Sequence, residues 1–282
     1  MNAQELFARL LRYVIILIAA SRVAMAGTID PNTPDAKYVE FGKQFPFVVR
    51  ITNIVDCKKC EKTHEQLASA VIIRPHWALT AAHVINESKH DVIYVGEKKH
   101  PVAYKVRHKD YNEDKVGLHD IALCYVEEDF KLDFYVPLYS KADENGKSVT
   151  IAGWGSTGNF TTGATTSDNK RRAGQNKLSS AFLSVVACSP RRDGRFPLEF
   201  MIAPGDSGGG MFIGNELAGI NSFLAHADGK PDGTYGDDSA FTRVSMYRDW
   251  VELQIRQHEH ALVGQATLGP EPKASVNSTP AE

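Results

Sequence analysis

Gly205-Asp206-Ser207-Gly208-Gly209 runs directly into the apolar stretch Gly210-Met211-Phe212-Ile213. A serine hydroxyl alone is a poor nucleophile. It becomes effective when an adjacent base takes its proton and two backbone N–H groups converge where negative charge develops on the attacked carbonyl. Glycines on both sides of Ser207 permit so tight a turn. A base is offered by Thr80-Ala81-Ala82-His83, which closes the apolar stretches Val71-Ile72-Ile73 and Trp77-Ala78-Leu79. His83 is therefore expected at the end of a strand, with small Ala81 and Ala82 letting the backbone pack closely behind it. A third group must hold the imidazole in one tautomer and stabilise the imidazolium, and Asp120, opening the run Ile121-Ala122-Leu123, is placed to do so. Each segment has a plainer reading: a glycine-rich turn, a core histidine, an aspartate at a strand entrance. Their conjunction in the order His83, Asp120, Ser207 points to acyl transfer.

The elements that must position these residues are short strands. Phe45 to Asn53, Ala68 to Ile73, Asp91 to Val95, Val102 to Arg107 and Ile121 to Val126 form one set by apolar and β-branched content. Val149 to Gly153, Leu178 to Val186, Gly209 to Ile213, Glu216 to Phe223 and Ala240 to Val244 form a second. Gly214-Asn215 reads as a tight hairpin turn, and the polar stretch Ser140 to Lys147 separates the two sets. Ser156 to Lys177, with Lys170-Arg171-Arg172, reads as a long exposed loop open to nicking. Met246 to Gln257 carries Trp250, Val251 and Ile255 at helical spacing, so a C-terminal helix is expected to pack on the second set of strands. Residues 258–282 read as a disordered tail.

Composition agrees with a globular, all-β domain. Among 282 residues, 43% are hydrophobic and 23% charged, and the formal net charge of −2 gives no reason to expect nucleic acid or an acidic membrane as partner. Arg9 and Arg12 precede the apolar run Tyr13 to Ala20, and Ala24-Met25-Ala26 ends it with small residues. Residues 1–26 are thus expected to be an export signal cleaved after Ala26, too short in its apolar part to span a bilayer at about 20 residues. Secretion, extracellular or periplasmic, is expected, with no stable membrane insertion afterwards.

The segments Thr80 to His83, Asp120 to Leu123 and Gly205 to Gly209, supported by Ala152-Gly153-Trp154-Gly155 and Gly219-Ile220-Asn221-Ser222-Phe223, resemble the trypsin and chymotrypsin family of serine endopeptidases. The resemblance covers roughly residues 40 to 256. It implies His83 as general base, Asp120 as its orienter, Ser207 as nucleophile, and the N–H groups of Gly205 and Ser207 as oxyanion donors. It also implies two packed six-stranded antiparallel β-barrels, the first over about residues 40–138 and the second over about 148–245, with the site in the crevice between them. The peptidase domain would span residues 27–257, act on protein or peptide substrates, and need no cofactor.

The chain departs from the family's pattern in several places. Val84 and Ala68 stand where a cysteine pair commonly braces the histidine. Cys57 and Cys60 can bridge each other, four cysteines allowing three connectivities in all. With His64 they also sketch a zinc-like spacing without a fourth ligand, so a surface loop is the expectation and no metal site is assigned. Cys124 and Cys188 read as buried thiols. The loop after Val95 is too short for the family's acidic calcium loop.

Met201 falls at the base of the family's primary specificity pocket, with Ser222, Phe223 and Leu224 along one wall. Methionine at the base and leucine in place of the usual glycine predict a narrow apolar pocket for small or medium side chains. An alternative has Asp237 or Asp238 entering from the opposite wall and restoring a preference for basic residues. Between Gly27 and Pro46 there is no basic residue followed by Ile or Val and glycine, the family's activation sequence. Signal removal near Gly27 supplies the new N-terminus, or Asp206 has another partner, or the enzyme is latent. Two other functions stand beside the peptidase: a catalytically silent homologue acting as a binding or regulatory module, and a serine esterase or acyltransferase, whose usual order of serine, acid and histidine runs opposite to this one.

Overall fold

A computed structural model describes residues 27–56, 63–85, 88–115, 117–193, 196–226 and 229–268, the side chains of 265–268 excepted. The export signal at 1–26, Cys57 and Cys60, and residues 269–282 lie outside the described residues. The chain divides into two compact units, Met1–Met246 and Tyr247–Glu282.

In the first unit, β1 (Thr28–Ile29) and α1 (Asp35–Gly42) precede a closed barrel. The barrel comprises β2 (Val48–Asp56), β3 (Thr63–Arg74), β4 (Trp77–Thr80), then after α2 (Ala82–Ile85), β5 (His90–Val95), β6 (Lys98–Arg107) and β7 (Ala122–Val126). Its order around the ring is β2-β3-β4-β7-β6-β5, every pairing antiparallel. The period of two that builds it is plain in β2, where Ile51, Asn53 and Val55 are buried and Ile54 between the last two is exposed. Val48, Ile72, Leu79, Ile93 and Leu123 are wholly buried with them. Asn53 is polar, and its Nδ2 donates to the Val84 carbonyl, tying α2 to the barrel.

The second set of strands is β8 (Ser148–Gly153), β9 (Thr157–Asn159), β10 (Gly163–Thr166), β11 (Arg172–Lys177), β12 (Ser180–Phe182), β13 (Val185–Cys188), β14 (Phe200–Met201), β15 (Gly210–Ile213), β16 (Glu216–Ala225) and β17 (Asp238–Arg243). Seven of them form one sheet in the order β11-β8-β15-β16-β17-β13-β12, a half-barrel where a second closed six-stranded barrel was expected. The remaining three join β1 in a small sheet, β10-β9-β1-β14. Leu178 to Val186 is not one strand: Leu183, at φ 47, turns the chain between β12 and β13. The Gly214-Asn215 hairpin is as expected, with Gly214 at φ 58.

The stretch Ser156 to Lys177 is corrected from an exposed loop to three strands. Its basic residues are anchors. Arg172, 1% exposed, forms a two-pronged pair with Asp35 of α1 and another with Asp168. Arg171 donates to the carbonyls of Gly42 and Val48 and lies over the Trp154 ring. A guanidinium presents five donors in a fixed fork, so carboxylates and carbonyls can saturate it inside the fold. Sequence composition alone reads the same residues as solvated charge.

The second unit is described by α3 (Arg248–Leu268), which overruns the expected end at Gln257. Residues 258–268 contain no proline, and Pro270 is the first residue able to stop a helix outright.

Candidate active site

His83 does not end a strand; it sits on α2, the short helix directly after β4. The helix holds the backbone still while the imidazole, 38% exposed, remains accessible. Asp120 receives it twice. Its Oδ2 lies 2.8 Å from His83 Nδ1, and its Oδ1 accepts the His83 backbone N–H at 2.9 Å. Two bonds from one carboxylate to one residue fix the ring orientation and leave Nε2 as the nitrogen available to a nucleophile.

Asp120 is in turn held from the second set of strands. Ser222 Oγ on β16 donates to Asp120 Oδ2 at 2.5 Å, and Thr242 Oγ1 on β17 donates to the Asp120 carbonyl at 2.9 Å. Sequence reading put Ser222 on the wall of a specificity pocket, and the structure shows its hydroxyl bonded to the aspartate. Thr242 was missed entirely, since one buried threonine among strand residues gives no signal of its own.

The carboxylate is 3% exposed, and burial works against its ionisation. The His83 charge and hydrogen bonds from His83 and Ser222 outweigh burial and hold its pKa below the ordinary value. For His83 the balance runs the other way in sign. Burial disfavours the imidazolium, but the Asp120 charge and hydrogen bond prevail and raise its pKa above 6.5.

The turn carrying Ser207 is fastened to the barrel. Ser69 of β3, wholly buried, donates its N–H to the Ser207 carbonyl at 2.8 Å and its Oγ to the Gly205 carbonyl at 3.1 Å, while accepting the Trp154 N–H at 2.9 Å. Gly208, at φ 83, lies so close to β4 that an added Cβ would stand 2.1 Å from Thr80 Oγ1 and 2.2 Å from the Ser69 carbonyl oxygen. Thus the residue after Ser207 abuts the strand that leads into His83. Only glycine satisfies both the left-handed backbone and the space.

Asn221 braces the other side. Its Nδ2 donates to the carbonyls of Ala152 and Asp206, and its own backbone exchanges hydrogen bonds with Gly208 and Gly209. Within the turn the N–H groups of Asp206, Gly208 and Gly209 are committed to carbonyls. Among the described residues, those of Gly205 and Ser207 have no acceptor in the protein. Two uncommitted N–H groups flanking Asp206 are what an anionic carbonyl oxygen requires.

Asp206 points away from this turn into the protein and is 1% exposed. It accepts the N–H of Gly155 at 3.0 Å and of Ala203 at 3.0 Å, and a backbone hydrogen bond from Gly27. Gly153 allows the approach: a Cβ there would lie 2.1 Å from Asp206 Oδ1. Burial nevertheless pushes this carboxyl up to about 7, because hydrogen bonds and the more distant charge of Arg172 do not offset the lost solvation.

Of the pocket residues, Met201 is wholly buried and paired with Thr28 across β14 and β1. Leu224 is paired with Ser239 across β16 and β17 and packs on the cluster containing Ile202. Ser239 Oγ accepts the Ile202 N–H at 3.0 Å. Phe223 lies against the backbone of Gly117, in the loop that leads to Asp120, where a Cβ would come within 2.2 Å of its ring. The two carboxylates of the alternative pocket have protein partners: Asp237 Oδ2 accepts the Gly233 N–H at 2.9 Å, and Asp238 Oδ1 accepts a short bond from Ser189 Oγ. Cys124 and Cys188 are free and buried, and burial raises both thiols above their ordinary pKa.

A model of the trypsin family matches residues 41–251, and the chain belongs to this family of serine endopeptidases. Among curated relatives it is 29% identical over 207 residues to a collagenase of Hypoderma lineatum, covering 64% of this chain and 73% of that one. It is also 29% identical over 204 residues to a chymase of Rattus norvegicus, covering 67% and 79%. Among solved structures, one described as HL collagenase matches at a TM-score of 0.59 and 21% identity, over 75% of this chain and 94% of the other. Neuropsin, a serine protease expressed in the limbic system of mouse brain, matches at 0.57 and 20%, over 75% and 95%. These structural likenesses show the fold.

Proposed function

We propose that this chain is a secreted endopeptidase in which Ser207 attacks the substrate carbonyl carbon while His83 Nε2 accepts the hydroxyl proton. The proton then passes to the departing amine as the C–N bond breaks, leaving an acyl ester on Ser207. Water, deprotonated by His83, hydrolyses that ester and restores the serine. Asp120 orients the imidazole and stabilises its charged form; the N–H groups of Gly205 and Ser207 receive the oxyanion. The single observation that carries this reading is the doubly bonded His83–Asp120 pair, its carboxylate buried and its imidazole accessible, beside a glycine turn with two uncommitted N–H groups. A fluorophosphonate reagent tests it: modification confined to Ser207, mapped by mass spectrometry and lost in His83→Ala, supports the triad. Labelling elsewhere, or none in a folded chain, removes it.

The reading extends to processing. Cleavage after Ala26 would turn the Gly27 peptide nitrogen, already hydrogen-bonded to Asp206, into an ammonium beside a carboxyl that lacks a close cation. Residue 27 must then be glycine, because a Cβ would stand 1.9 Å from the Phe200 ring. The peptidase domain accordingly begins at Gly27 in this proposal.

A catalytically silent homologue is the second reading, and what favours it is the same Asp206, left without a close cation while the leader is attached. The two readings part on whether the chain starting at Gly27 takes up the reagent. For specificity, Met201, Leu224 and Ile202 support an apolar, shallow primary pocket.

A further inference from the structure

His108, at the end of β6, and His119, immediately before Asp120, stack with ring centroids 4.8 Å apart and planes within 11° of parallel. Asp110 stands beside them. One ligand atom from each of the three residues lies within 4.8 Å of the others. The backbone builds this arrangement. His108 N–H donates to the Ile121 carbonyl at 3.1 Å, which brings the two histidine segments alongside, and Tyr111 N–H closes a turn on the His108 carbonyl at 3.0 Å. That turn carries Asp110 back over His108. The Asp110 N–H donates to His108 Nδ1 at 3.3 Å, and the Asp110 carboxylate Oδ2 lies 3.9 Å from the same nitrogen. His119 adopts φ 55, a left-handed conformation that a residue with a side chain holds only when its surroundings impose it.

We infer that His108, Asp110 and His119 form a zinc site that regulates the peptidase; the regulatory half rests on the function proposed above. Two imidazoles and one carboxylate suit zinc and its late first-row neighbours, whereas calcium and magnesium prefer all-oxygen sets. Three protein ligands leave a fourth position for water. Asp110 is half exposed and both histidines are partly buried, so solvent reaches the site. No metal was expected from the sequence, because His108 and His119 stand apart in the chain without the usual short spacing of a metal motif.

Zinc bonds of about 2.0 Å in a tetrahedron place ligand atoms roughly 3.3 Å apart. Drawing the three groups together from as far as 4.8 Å shifts their side chains, and in this proposal part of that shift falls on His119. The His119 carbonyl is bonded to the Ile121 N–H at 2.8 Å, so the shift passes through the intervening Asp120 peptide. Asp120 must meet both His83 N–H and Nδ1 at hydrogen-bond distance, and displacement weakens that pair. Zinc at this site lowers turnover.

The test is equilibrium dialysis of the full chain carrying Ser207→Ala against zinc, with bound metal quantified by mass spectrometry. One zinc per chain is expected, with affinity reduced at least tenfold by His108→Gln and by Asp110→Asn in the same background. Cobalt(II) should give visible ligand-field bands without the near-ultraviolet charge transfer of a thiolate. In the chain that retains Ser207, zinc should slow peptide hydrolysis at least tenfold, and His108→Gln should abolish the effect while keeping the metal-free rate. Unchanged binding in both variants overturns the site, as does a thiolate band lost on Cys57→Ser. Site-specific binding that leaves hydrolysis untouched overturns regulation. Dialysis and cobalt spectra need no turnover, so failure of the peptidase reading is separately visible.

Discussion

Asp120 and Asp206 are both almost completely buried, yet their acidities are displaced in opposite directions. Burial pushes each upward. Asp120 has His83 against it and two hydroxyl or amide donors besides, and it ends below its ordinary value. Asp206 has three backbone N–H donors and no adjacent cation, and it ends near 7. Neutral donors therefore do not replace a charge inside a protein; they reduce the desolvation cost without removing it. In the proposed function one carboxylate orients the base, and the other awaits a partner that processing would supply.

The largest expected effect breaks the Asp120 side of this contrast. Asp120→Asn retains shape but cannot stabilise an imidazolium or hold the right tautomer, and kcat should fall by about 10⁴-fold. Peptide turnover by the folded variant, with folding checked by circular dichroism, measures this; a loss below tenfold would show that Asp120 is not the orienting acid.

The Asp206 side is tested by the amino terminus. A chain beginning at Gly27 should be more active than the leader-bearing chain by about 10² to 10³-fold, the scale of an oxyanion donor gained or lost. Acetylating Gly27 should reverse the gain. Equal rates for free and acetylated chains would detach Asp206 from activation.

Ser222→Ala removes one donor from Asp120 and leaves His83 in place. A hydrogen bond to a charged group is worth about 1.5 to 3 kcal/mol, so the loss in kcat should reach about 10 to 100-fold and KM should stay nearly constant. A change confined to KM would show that Ser222 acts through the specificity wall and not through Asp120.

The smallest change concerns pH. His83 acts as base only when neutral, and Asp120 raises its pKa, so kcat/KM should climb with pH through a midpoint above 6.5. The midpoint should be lower in Asp120→Asn, measured on its residual activity, because the charge favouring the imidazolium is gone. An unshifted midpoint would mean that a different group titrates.

Specificity follows the same desolvation logic at a third place. Arg or Lys in the apolar pocket proposed at Met201 and Leu224 would be buried without a partner, and Asp237 and Asp238 already have theirs. Library cleavage should fall after Ala, Val or Leu. Cleavage mainly after Arg or Lys would refute the apolar pocket.

Sequence by itself determined the candidate chemistry-bearing residues, because a nucleophile, a base and an acid each need a particular residue type in a particular local setting: glycines around Ser207, small residues before His83, an apolar strand after Asp120. It also determined the hairpins and most barrel strands, since a period of two and a Gly-Asn turn are local signals. It did not reveal that Ser69, Asn221 and Ser222 hold the site together, for their partners lie far along the chain and a lone polar strand residue has no local signature. Nor did it disclose that Arg171 and Arg172 are anchors, or that Gly27 meets both Asp206 and Phe200. Whether a charge is solvated, paired or stranded depends on what the rest of the chain brings against it, and only the tertiary structure decides that.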